Sequence, residues 1–106
     1  MFIKFDNLDM LEFFENEPIA IGEDDEGIYI YSIRNKCQFE MILTVDTYAK
    51  KIDVSVRHSY NTIFSGEFDN VLEIRKSEDV LLVEMEGKKR LVLKKYSCLG
   101  VAIENM

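Results

Sequence analysis

Apolar and polar residues follow two rhythms along this chain, a helical one near the start and a strand-like one almost everywhere else. In "DNLDMLEFFENEP", residues 6–18, a step of about 100° per residue gathers Met10, Leu11, Phe13 and Phe14 on one face. Asp9, Glu12 and Glu15 fall on the other, with Leu8 at the border. Asp6 or Asn7 suits the N-cap, because a short side-chain oxygen accepts from the unbonded amides of the first turn. Pro18 disfavours helical geometry at Glu17, so the pattern predicts a short amphipathic helix stopped by the proline.

Beyond residue 18 the period is two. "IYIYSI", residues 28–33, puts Ile28 and Ile30 on one face and Tyr29, Tyr31 and Ile33 on the other. Both faces are apolar, which predicts a central strand covered on each side, on one of them by the helix. "CQFEMILTV" turns Cys37, Phe39, Met41, Leu43 and Val45 inward, and "KIDVSVRH" does so with Ile52, Val54 and Val56. "NVLEIRK", "DVLLVEME" and "RLVLKK" continue the alternation, and "CLGVAIE" closes it with Leu99, Val101 and Ile103 inward. Short polar connectors ("RNK", "DTYAK", "SGEFD", "KSED", "EGKK", "YS") separate these runs, the texture of an antiparallel meander. No helix-length connector follows residue 18, which excludes parallel crossovers. The predicted fold is α+β, mostly β: one domain over residues 1–106, with a short N-terminal helix packed on a curved antiparallel meander sheet. About seven to nine strands would form that sheet, closed as a small barrel or layered as a two-layer sandwich.

Charge changes this picture of an ordinary sheet protein. The formal net charge is −7 over 106 residues, and its distribution is lopsided. Residues 1–26 hold nine acids and one base, Lys4, while the remaining 80 residues are close to balanced, with eleven acids and twelve bases. The surplus is carried by Asp6, Asp9, Glu12, Glu15, Glu17, Glu23, Asp24, Asp25 and Glu26. Nucleic-acid binders carry the opposite imbalance, so no direct contact with DNA or RNA is expected. No apolar run approaches the roughly 20 residues that span a bilayer, and acids begin at Asp6 where a signal peptide would be apolar. A cytoplasmic protein without membrane contact is expected.

"GEDDEG", residues 22–27, has three readings. An EF-hand needs alternating oxygen ligands and a closing glutamate; here the acids are contiguous, and the twelfth position counted from Asp24 is Asn35. A looser divalent-cation site, a glycine-bounded hairpin turn and a docking surface remain. Docking gains weight because only five residues separate Glu17 from Glu23. Like charges three or four positions apart cost a helix about 0.2–0.5 kcal/mol per pair, and their joint field attracts a basic partner. The candidate partner-binding residues are therefore Asp9, Glu12, Glu15, Glu17, Glu23, Asp24, Asp25 and Glu26.

Other chemistry is sparse. His58 is the only histidine; Ser59 beside it points to the opposite face while the strand continues, so the two make no nucleophile–base pair. Cys37 and Cys98 lack metal-ligand spacing and read as small buried hydrophobes. Zinc, a phosphate-binding loop and any cofactor are not expected, and neither is catalysis. The basic pairs at 75–76 and 94–95 and "KKR" at 88–90 read as solvated hairpin ends, with a weak anion site as the lesser reading. Phe5, Tyr48, Tyr60 and Tyr96 sit near strand ends, as half-exposed aromatics or interface anchors.

A short acidic N-terminal helix, then "EPIAIGEDDEGIYIYSI", then a meander containing "IFSGEFDNVLEI", resembles the small acidic β-rich immunity proteins that bacteria pair with secreted antibacterial toxins, including contact-dependent inhibition systems. The resemblance implies a non-catalytic protein that binds and blocks one cognate toxin, often a nuclease with a basic active site, whose phosphate-binding charge an acidic patch would meet. It carries no residue motif, so the site above rests on electrostatics. Two other readings stand beside it: a module that self-associates through strand edges, and a small ligand carrier with a pocket lined by Tyr29, Tyr31, Phe39 and Met41.

Overall fold

The computed structural model describes residues 2–22, 27–35, 38–95 and 99–105. Asp6 caps α1 (Asn7–Phe14), its Oδ1 accepting from the Leu8 amide at 2.7 Å. The helix stops earlier than Pro18 requires. Glu15 takes a left-handed conformation (φ 59°) and its amide donates to the Leu11 carbonyl at 2.8 Å. Asn16 then donates through Nδ2 to the carbonyls of Phe14 and Ser32, each at 3.2 Å, tying the helix end to the sheet.

Two five-stranded sheets face each other as a sandwich. One runs β2 (Ile19–Ile21), β3 (Ile28–Arg34), β4 (Phe39–Asp46), β5 (Lys51–His58) and β6 (Asn61–Phe68) in chain order, all antiparallel. The other runs β1 (Lys4–Phe5), β7 (Val71–Ser77), β8 (Val80–Met85), β9 (Lys89–Lys95) and β10 (Leu99–Asn105). Between the two expected closures the chain takes the layered one: no barrel closes among the described residues. The β4–β5 turn stitches the layers instead, with the Thr47 carbonyl accepting from Ile3 and the Lys50 carbonyl from Val71, each at 2.9 Å.

Inward residues of both sheets form one core with the helix. Met41, Leu43, Val45, Ile52, Val54 and Val56 come from the first sheet, as the alternation predicts, and Ile74, Leu81, Val83, Leu91 and Leu93 from the second. From α1 only Met10, Phe13 and Phe14 are buried; Leu11 lies at the margin, 37% exposed, and Leu8 is out in solvent. The phenylalanines fill the flank between β3 and β7, with the Phe14 ring stacked on Tyr31 at 5.3 Å and edge-on to Phe13 at 5.0 Å. Tyr31 and Met41 are themselves packed core, so the interior expected as a ligand pocket is filled there by side chains.

Four expectations need correction. β6 takes in most of "SGEFD", expected as a connector: Gly66 leaves a gap in its inward row, and the rings of Phe64 and Phe68 close over that glycine, within 3.4 Å of where a Cβ would stand. β1 pairs in parallel with β7, Lys4 opposite Glu73, which needs no crossover helix because the whole first sheet lies between them. Ile103, expected inward, is on the outermost strand β10 and 57% exposed. Finally, β3 is covered on one side only: α1 lies on the Tyr31 face, and Ile28 and Ile30 do not join the core.

Burial sets a measurable titration. The Tyr31 hydroxyl is pushed up to about 12, first by burial and then by the neighbouring Tyr29. A raised folded-state value favours the neutral form, so this stabilisation is complete below the unfolded value of about 10 and is lost as pH rises through about 12. In a spectrophotometric titration one tyrosine equivalent is expected to ionise late, near pH 12. In Tyr31→Phe that late step should vanish; its persistence would assign it elsewhere.

Candidate functional site

β1, α1 and β2 lie along the flank of the sandwich marked by β3 and β7, and the acids of the first quarter meet different fates. Asp9, on the first turn of α1, accepts from the Lys76 amide at 3.2 Å through Oδ2. Glu12, one turn on, holds the Lys76 ammonium at 3.4 Å. Two of the three acids in the stripe expected to face outward thus lean on β7, and one of them, Glu12, pairs with the lysine's charge. Glu15, at the helix C-cap, and Glu17, in the segment leading to β2, are exposed. Glu23, Asp24, Asp25 and Glu26, on the β2–β3 connection, lie outside the described residues, as do Cys37, Cys98 and Tyr96.

Two arginine–carboxylate clusters, neither apparent in the linear sequence, occupy strand faces. Glu40 on β4 stands between Arg34 on β3 and Arg57 on β5: Oε2 accepts from Arg34 Nη2 at 3.3 Å and Oε1 from Arg57 Nη2. Antiparallel register brings them together, since Glu40 pairs with Arg34 on one side and with Arg57 on the other. On the second sheet Glu84 accepts from Arg75 at 3.2 Å and Arg90 at 2.9 Å. These bases, read from sequence as hairpin ends, lie within strands and are matched by carboxylates.

The hydrogen bond from Arg57 holds the Glu40 carboxyl below its ordinary value, aided by the charges of both arginines against the opposing effect of burial. A depressed folded-state value contributes stability above the unfolded value of about 4.3, and that contribution disappears as pH falls through the folded one. Glu40→Gln should therefore cost about 1–2 kcal/mol at pH 7 and progressively less below pH 4. Urea unfolding of both forms from pH 7 to 3 checks this; a difference that does not shrink in acid would contradict it.

His58 ends β5 with its ring 4.5 Å from that of Phe39, and Ser59 and Tyr60 follow in left-handed turn conformations. Tyr60 and Tyr48 are exposed turn residues, whereas Phe5 is half-buried and edge-on to Tyr29 at 6.3 Å. Among the described residues no three histidine, cysteine or acidic side chains gather as a metal site. No described helix is long and apolar enough to cross a membrane.

No family model and no curated protein matches the sequence. Among solved structures the chain is similar in fold to a chain of the contact-dependent growth inhibition toxin–immunity protein complex from Klebsiella pneumoniae 342. The TM-score is 0.82 at 24% identity, over 98% of both chains. The resemblance drawn from the sequence therefore holds at the level of the whole fold.

Proposed function

We propose that this chain is a non-catalytic inhibitor of the immunity type, which binds and blocks a toxin with a basic surface through its acidic N-terminal quarter. The observation that carries the reading is the end-to-end fold likeness to a chain of a toxin–immunity pair. Charge decides which member of such a pair this one resembles. A toxin that grips nucleic-acid phosphates needs a cationic surface, whereas this chain concentrates nine acids against one base in its first 26 residues. The contact is assigned to Asp9, Glu12, Glu15, Glu17, Glu23, Asp24, Asp25 and Glu26. Asp9 and Glu12, already engaged by Lys76, contribute less than the four acids of the loop.

Affinity capture from the native host extract, at low and at high salt, tests the reading. One basic polypeptide should be retained with a Kd near nanomolar, about −12 kcal/mol, and be held less well at high salt. Retention of no basic polypeptide would end the proposal.

A further inference from the structure

The outer face of the first sheet is laid out in cross-strand rows. One row runs Ile19, Ile30, Thr44, Asp53 and Glu67; the next runs Ile21, Ile28, Asp46 and Lys51. On the other side Ser32 stands beside Ile42, followed by Ser55 and Ser65. Five isoleucines therefore collect on β2, β3 and β4, with carboxylates in the adjoining strip. None of the five belongs to the core or packs against it; Ile19 is 67% exposed, Ile21 is 41% exposed and the other three are half-buried.

A contiguous apolar patch left in water is unusual for a monomer and marks a contact surface. The rim identifies what fits. Asp46, Asp53, Glu67 and the nearby Asp69 flank the single base Lys51, which itself lies 3.9 Å from both Glu67 and Asp69; the row beyond Ile42 adds Arg34 and Arg57, both held by Glu40, so acids still outnumber bases by five to three. A second copy would press two such rims together in a chain of net charge −7, and β2 offers only three residues of edge for continuing the sheet. Anionic lipid is repelled for the same reason. A basic protein surface is attracted.

We propose that this isoleucine face seats the partner, a protein whose contact surface is apolar at its centre and fringed with lysine and arginine. The inference rests on the inhibitor reading and adds an anchor to it: carboxylates steer the encounter, and buried isoleucines hold the complex.

The test uses the purified full chain and the basic polypeptide recovered by capture. Three forms are compared: wild type, the pair Ile19→Thr and Ile30→Thr, and Ile21→Arg. Threonine keeps the β-branch that the strand favours, and none of these positions is in the core, so the thermal midpoint should stay within a few degrees of wild type. The threonine pair should weaken Kd at least about tenfold through faster dissociation, and Ile21→Arg should weaken it more. The ionic-strength dependence of the threonine pair should remain that of wild type. Affinities within about twofold of wild type would overturn this inference and leave the inhibitor reading standing. Failure of wild type to retain any basic polypeptide would overturn both. A wild-type dimer in sedimentation that Ile21→Arg dissociates would give the face to a second copy and overturn the proposal.

Discussion

Phe14→Ala is expected to cost about 3–5 kcal/mol of folding free energy, the range for emptying a fully buried aromatic site. Phe14 has no exposed surface and makes ring contacts with Phe13 and Tyr31, at the flank where α1 bridges β3 and β7. A helix of eight residues does not persist alone in water, so its attachment depends on the phenylalanines. Removing one leaves a hole that neither sheet can readily close, since each is held in place by its own hydrogen-bonded ladder. Domains of this size are stable by about 5–15 kcal/mol in total, so the variant should be near its unfolding threshold at 37 °C. Urea unfolding measures it. Leu8→Ala, at a solvent-exposed position of the same helix, should change stability by less than about 0.5 kcal/mol. Equal costs for the two variants would contradict the assignment of the helix's buried face.

Reversing Glu23, Asp24, Asp25 and Glu26 to lysine is expected to slow association with the partner at least about tenfold at low salt. The change moves the formal net charge from −7 to +1, within a stretch bounded in sequence by Gly22 and Gly27. Steering acts over the Debye length, about 10 Å at 0.1 M salt and about 3 Å at 1 M, so the two forms should converge as salt rises. Dissociation should change less than association, because distant charges speed encounter more than they hold the docked pair. Asp9→Asn with Glu12→Gln should have the smaller effect, since the Lys76 amide already holds Asp9 and the Lys76 ammonium offsets the charge of Glu12. Stopped-flow association across a salt series separates these outcomes. Equal rates for wild type and the four-site variant would remove the loop from the contact.

The helix was legible because its three core residues, Met10, Phe13 and Phe14, keep a helical spacing that no strand could bury together. Its end was not, because Glu15 and Asn16 terminate it through contacts made partly with Ser32, sixteen residues from Asn16. Strands β4 and β5 could be read residue by residue, since each buries one face and wets the other. β6 hid behind Gly66, and β1 depends on a partner about seventy positions away, which no local pattern announces. Charge asymmetry is a property of composition and needs no fold to be seen. That Lys76 reaches back to Asp9 and Glu12, and that Glu40 sits between two arginines, are facts of register and packing. The two-faced apolar character of "IYIYSI" was visible as well, but the sandwich covers only the tyrosine side. The isoleucine side became a candidate surface once the strand order was known.

The inhibitor reading is tested most directly by expressing the captured basic polypeptide in bacteria that lack this chain, and then adding the chain back. The polypeptide alone should arrest growth, and co-expression of the wild-type chain should restore it. Growth that is unaffected by the polypeptide, or an arrest that the wild-type chain does not relieve, would contradict the account.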